Sequence, residues 1–182
     1  MAEQEPATGT NGGGNGSGEL GTDPAISILA QYTKDLSVEN PSAPQVFQWQ
    51  VQPTLDVQFN INVESIAEDV HEVVLKIEVN ARSDNGVHFV VDLSYGGLFG
   101  IRNVPADALQ PFLLIEAPRL IFPFARQIVA EAVSNSGFPP LLLDPIDFAG
   151  AYLQQMQAQQ PEDAVAGNGA GEQALPDPSS ET

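Results

Sequence analysis

Four stretches of alternating apolar and polar residues follow one another between positions 26 and 95, with no helical period between them. Ile26, Ile28, Ala30 and Tyr32 form the first, Leu55, Val57, Phe59 and Ile61 the second, and Val73, Leu75, Ile77 and Val79 the third. Phe89, Val91, Leu93 and Tyr95 form the fourth, which sets His88, Val90, Asp92 and Ser94 on its other face. Because successive side chains of a strand point to opposite faces, each stretch reads as a strand with one core face. The connections carry Pro41, Pro44, Asp69 and Ser83-Asp84-Asn85-Gly86 and hold no crossover helix, so neighbouring strands are expected to be antiparallel. The connection from about 36 to 53 is long enough to cross to another edge. Gly96-Gly97 reads as a turn that closes the fourth strand.

Helical spacing begins after Pro105 and is clearest from Pro118 to Ser134, where Ile121, Phe124, Ala125, Ile128, Ala132 and Val133 make a broad stripe widened by Phe122 and Val129. Asn135-Ser136-Gly137 supplies its stop. A last helix is expected from Asp144 as N-cap, with Pro145 at the first helical position, to near Gln160. Strands followed by helices predict an α+β fold: a four-stranded antiparallel sheet with helices packed on one face. The wide stripe on 118–134 predicts that subunits associate through this helix and through the sheet.

Charge and composition narrow the function classes. Six basic residues stand against 24 acidic ones, a net charge of -18, which repels phosphate backbones and argues against a nucleic-acid partner. The absence of cysteine removes disulfides, thiolate metal sites and a cysteine nucleophile. The first residues show neither a basic nor an apolar signal region, and no apolar run reaches the ~18 residues of a membrane span, so a cytoplasmic protein without membrane insertion is expected. Residues 1–24, rich in Gly, Asn, Ser and Thr, and residues 161–182, with five acids and no base, are expected to be disordered tails around a domain at 25–160.

No catalytic set emerges. The chain lacks GxSxG and GxxxxGK[ST], and Gly96, Gly97 and Gly100 do not make a dinucleotide fingerprint. His71 and His88 read as exposed strand residues. Strand alternation separates His71 from Glu72, so no metal or cofactor site is expected, and neither is an enzyme. What stands out is apolar sequence in irregular chain: VFQWQVQP at 46–53, and GFPPLLLDPIDF at 137–148, whose prolines forbid regular helix across Leu141, Leu142 and Leu143. Such segments either cover their own core or a subunit interface, or form a groove for other chains.

The chain resembles the SecB family of protein-export chaperones. The resemblance runs from about 26 to 157 and rests on the order and spacing of YTKDLSVENPSAPQVF (32–47), EDVHEVVLKIEV (68–79), GGLFGI (96–101), LIFPFARQIV (120–129) and GFPPLLLDPIDF (137–148). It implies a homotetramer, a dimer of dimers. Such an assembly holds unfolded precursors of exported proteins without ATP and delivers them to the SecA ATPase. By matching motif it implies SecA docking at Asp35, Glu39, Val90 and Asp92, with Asp92 standing where the family often has glutamate. It implies client binding at Phe47, Leu141, Leu143 and Phe148. Trp49 joins them as a residue on the same extended face as Val51, where the family pattern has its tryptophan. The alternative on the same fold is a SecB-like adaptor or a chaperone subunit linked to a toxin-antitoxin pair.

Overall fold

The protein is described as a computed structural model covering residues 23–158. The tails expected at 1–24 and 161–182 lie outside the described residues, apart from Asp23 and Pro24. Four long strands, β1 (Ala25–Glu39), β2 (Thr54–Ala67), β3 (Val70–Ser83) and β4 (Gly86–Arg102), form one antiparallel sheet in the order β1-β4-β3-β2. Two tight hairpins join β2 to β3 and β3 to β4. The 40–53 segment, with a single 3-10 turn at Gln45–Gln48, crosses from one edge of the sheet to the other.

The period-two pattern holds through the centre of the sheet. Val73, Leu75, Ile77, Val79 and Ala81 of β3 and Phe89, Val91, Leu93 and Tyr95 of β4 are all buried on one face. Each fully buried aliphatic side chain there contributes about 1.5–3 kcal/mol of hydrophobic stabilisation. The pattern does not stop at Gly96-Gly97, as the sequence suggested. β4 runs on through both glycines, with Phe99 and Ile101 continuing the core face. The glycines are there for close approach: a Cβ at Gly97 would lie 2.7 Å from Phe99 and 2.9 Å from Ile121, and one at Gly96 would lie 2.8 Å from the Tyr32 ring.

At the edge the simple period fails. Bulges in β1 between Ile28 and Ala30 and between Thr33 and Asp35 insert an extra residue each, so the expected Ile26-Ile28-Ala30-Tyr32 face is divided. Ile26 and Ile28 lie opposite Ile101 and Phe99 on the core face, whereas Ala30 and Tyr32 lie opposite Leu98 and Gly96 on the outer one. Leu36 and Val38 return to the core face opposite Leu93 and Val91.

Helices α1 (Ala106–Pro111) and α2 (Ala117–Asn135) are joined by a wide π turn at Phe112–Glu116. Pro118 has no N–H to bond back one turn and its ring crowds the carbonyl four residues earlier, and the wider turn accommodates both. Ile121, Phe122, Ala125, Val129, Ala132 and Val133 of α2 close the core over β3 and β4. Phe124, expected in that stripe, faces away and is exposed beside Leu120. Helix α3 (Phe148–Ala158) begins later than the start expected at Asp144. The cap is Asp147, whose Oδ1 accepts from the Gly150 N–H at 2.9 Å and whose carbonyl accepts from Ala151. No helix among the described residues is long and apolar enough to cross a membrane.

Candidate functional site: an apolar groove and an acidic sheet face

The stop of α2 builds one side of a groove. Gly137 takes a left-handed φ of 88°, its N–H bonds to Ser134 O, and the Phe138 N–H reaches Val133 O. That is a Schellman closure, which glycine permits without steric cost. It turns Phe138 toward the crossover segment, where its ring meets Phe47 at 5.5 Å and Phe89 at 4.9 Å. Trp49 packs over the β3–β4 turn, 3.2 Å from where a Cβ at Gly86 would be, and stands edge-on to His88 at 5.0 Å. Between these groups lies a cavity of about 510 Å³, whose walls include Phe47, Trp49, Val51, His88, Phe138 and Leu141.

His88 departs from its sequence reading. It was expected on the exposed face of β4, yet it is only 4% exposed. The pairing passes from Ala81–Phe89 to Arg82–Val87, so His88 is the extra residue of a bulge and is carried inward with Phe89. Its Nε2 lies 2.9 Å from Ser83 Oγ, in hydrogen-bonding distance.

Of the five apolar residues singled out for clients, the cavity brings together Phe47, Trp49 and Leu141. Phe47 is 54% exposed, a large apolar ring left facing water. Leu143 and Phe148 are buried in the core at 6% and 3% exposure. Phe148 also borders a second cavity of about 630 Å³, together with Arg119, Phe122, Arg126, Leu142 and Ile146. The 139–147 loop thus serves both cavities. Val46, Val51, His88 and Phe138 were not singled out. Gly137 followed by an aromatic residue was a legible signal for Phe138, and nothing in the sequence marked the bulge at His88.

The outer face of the sheet has the opposite character. Strand register sets Asp35 opposite Ser94, Ser37 opposite Asp92, and Glu39 opposite Val90, so the four expected docking residues share one face across β1 and β4. Glu78 and Gln58 continue the row from Asp92 onto β3 and β2. Lys76 bridges Glu78 at 2.6 Å and Asp92 Oδ2 at 3.3 Å, and these carboxylates, Glu78 foremost, hold its ammonium above the usual lysine pKa. Asp92 Oδ1 is shielded from solvent without a donor among the described residues. Toward the other end, Tyr32 reaches over Gly96 to donate to Glu72, and Lys34 donates to the second Glu72 oxygen at 2.7 Å. Lys34 first and Tyr32 second hold the Glu72 carboxyl below the usual range, and the same hydrogen bond pushes the Tyr32 phenol up to about 12.

A family model described as "SecB: Preprotein translocase subunit SecB" matches residues 20–159. The chain belongs to the SecB family. Similar proteins named "Protein-export protein SecB" include one from Sphingopyxis alaskensis, 56% identical over 83% of this chain and 88% of its own length. Another, from Zymomonas mobilis, is 60% identical over 75% of this chain and 83% of its own. A third, from Erythrobacter litoralis, is 47% identical over 92% and 90%. Among solved structures, a SecB-like chaperone from Mycobacterium tuberculosis in complex with an antitoxin peptide shares the fold, with a TM-score of 0.56 at 16% identity over 66% of this chain and 90% of that one. The four-stranded antiparallel sheet with helices on one face is thus a SecB-like fold, and the chain is a chaperone of protein export.

Proposed function

We propose that this SecB-family chaperone holds unfolded precursors in the groove between the crossover segment and the 138–141 loop, and passes them to SecA through the outer face of its sheet. The observation that carries the reading is the apolar wall of exposed Phe47 and half-buried Trp49 and Leu141 around about 510 Å³ of open space, in a chain of net charge -18. An unfolded segment offers apolar side chains and backbone partners together, whereas a folded surface offers neither. Holding of this kind uses burial alone and needs no nucleotide. Leu143 and Phe148 act from beneath, by fixing the loop that carries Leu141.

Asp35, Glu39, Val90 and Asp92 form the docking patch for SecA. A flat acidic surface with a small apolar centre favours a basic partner and gives fast, salt-sensitive association. A homotetramer, acting in the cytoplasm, accounts for the apolar surface left elsewhere: Leu120 and Phe124 on α2, and Ile26, Ile28, Leu36 and Val38 on edge strand β1.

Dilution of a denatured precursor into the chaperone without nucleotide tests the reading. Suppressed aggregation is expected, together with a solution mass four times the 19.3 kDa chain. Aggregation unaffected by the chaperone, or suppressed only with ATP, would refute holding. A monomer at micromolar concentration would refute the assembly.

A further inference from the structure

The second cavity differs from the first in its charge. Its floor is apolar, with Phe122 and Phe148 meeting edge to face at 6.1 Å and Leu142 and Ile146 alongside. Arg119 and Arg126 stand on its rim, seven residues apart on α2, which the helical rise makes about 10 Å. Arg119 holds Glu116 at 2.9 Å in an exposed pair, and Arg126 has no ion-pair partner among the described residues. Two of the chain's six basic residues therefore meet at one apolar depression, in a protein with 24 acids.

The segment that follows α3 has the complementary chemistry. Residues 159–182 carry Glu162, Asp163, Glu172, Asp177 and Glu181 and no base. Tethered to an acidic domain, such a segment is repelled by most of the surface and attracted to this rim. Within it, Glu172-Gln173-Ala174-Leu175-Pro176-Asp177 sets one large apolar side chain between two carboxylates. The reach also fits. Helix α3 starts in the cavity wall at Phe148 and ends at Ala158, roughly 16 Å away by helical rise. Glu172 follows Ala158 by 14 positions, and a Gly-rich random coil of that length has a reach of about 20 Å. A tether matched to its span gives an effective concentration of about millimolar, so even weak docking is populated.

We propose that residues 172–177 dock in this cavity of their own chain, with Leu175 against Phe122, Ile146 and Phe148, and Glu172 and Asp177 on the two arginines. Docked there, the tail would contact the 139–147 loop, whose other side lines the first groove. The docking itself does not depend on what the first groove holds, so it can be tested in the free protein.

The absence of cysteine makes the experiment direct. A nitroxide label on Gln173→Cys in the full chain should broaden the methyl resonances of Leu142 and Ile146. Glu172→Lys with Asp177→Lys, placed outside the described fold, should cut that broadening at least about twofold, as should Arg119→Gln with Arg126→Gln. Adding Arg119→Glu and Arg126→Glu to the lysine tail should restore it. Absence of broadening, or broadening indifferent to all of these charges, overturns the proposal. Broadening that arises only between differently labelled chains overturns it too, by giving the cavity to a second copy.

Discussion

The two faces of the sheet solve opposite problems. On one, Val73, Leu75, Ile77, Val79, Val91 and Leu93 are fully buried beneath α2, and the loops at the end of that layer leave an apolar groove. On the other, the same strands carry carboxylates and amides, with Lys34 and Lys76 each tied to acids already present. Because one face supplies the core, the other is free to carry charge at little cost in stability. Holding and docking can therefore be altered separately, provided each resides where it is proposed.

The largest expected effect breaks the covered face. Gly97→Val places a side chain against Phe99 and Ile121, both fully buried, and should destabilise the fold by about 3 kcal/mol in a denaturant titration. Gly96→Ala, one residue along on the open face, meets the Tyr32 ring, which can swing away, and should cost about 1 kcal/mol. A Gly97→Val cost no larger than that of Gly96→Ala would contradict the tighter crowding at Gly97.

A smaller effect sharpens the electrostatic side. The raised Tyr32 pKa means that its contribution is complete below pH 10 and is lost as pH rises toward about 12. The lowered Glu72 pKa means that its contribution is present above the usual carboxylate range and is lost as pH falls through the depressed value. Tyr32→Phe should flatten the alkaline limb of a stability-pH profile, measured between pH 9 and about 12. An unchanged alkaline limb would remove the Tyr32–Glu72 contact from that account.

How far the sequence could be read follows the same division. From Val73 to Val79 on β3 and from Phe89 to Tyr95 on β4 the residues alternate without interruption, so their core face and the outer position of Asp92 were readable from period two alone. The helix stop at Gly137 was readable from left-handed capping chemistry. What escaped reading depends on an extra residue or on contacts remote in sequence. Bulges turned Ala30 and Tyr32 outward and His88 inward, and no residue type announces a bulge. Gly96-Gly97 looked like a turn because the demand for glycine comes from Tyr32 on one neighbour and Ile121 on a helix not yet formed in any local window. The burial of Leu143 and Phe148 was likewise hidden, since a proline-rich apolar run does not reveal which of its side chains faces inward.

The central claim is that the groove and the sheet face are two separate sites, and one crossed measurement tests it. Phe47→Ser with Leu141→Ser, and separately Asp92→Lys, would each be assayed for suppression of precursor aggregation and for SecA affinity at low and high salt. The groove variant should lose holding about tenfold or more and keep its SecA affinity. Asp92→Lys puts a second cation beside Lys76 and should weaken SecA binding by about severalfold to a hundredfold at low salt, less at high salt, with holding intact. Loss of both activities in one variant, or of neither in both, would contradict the account.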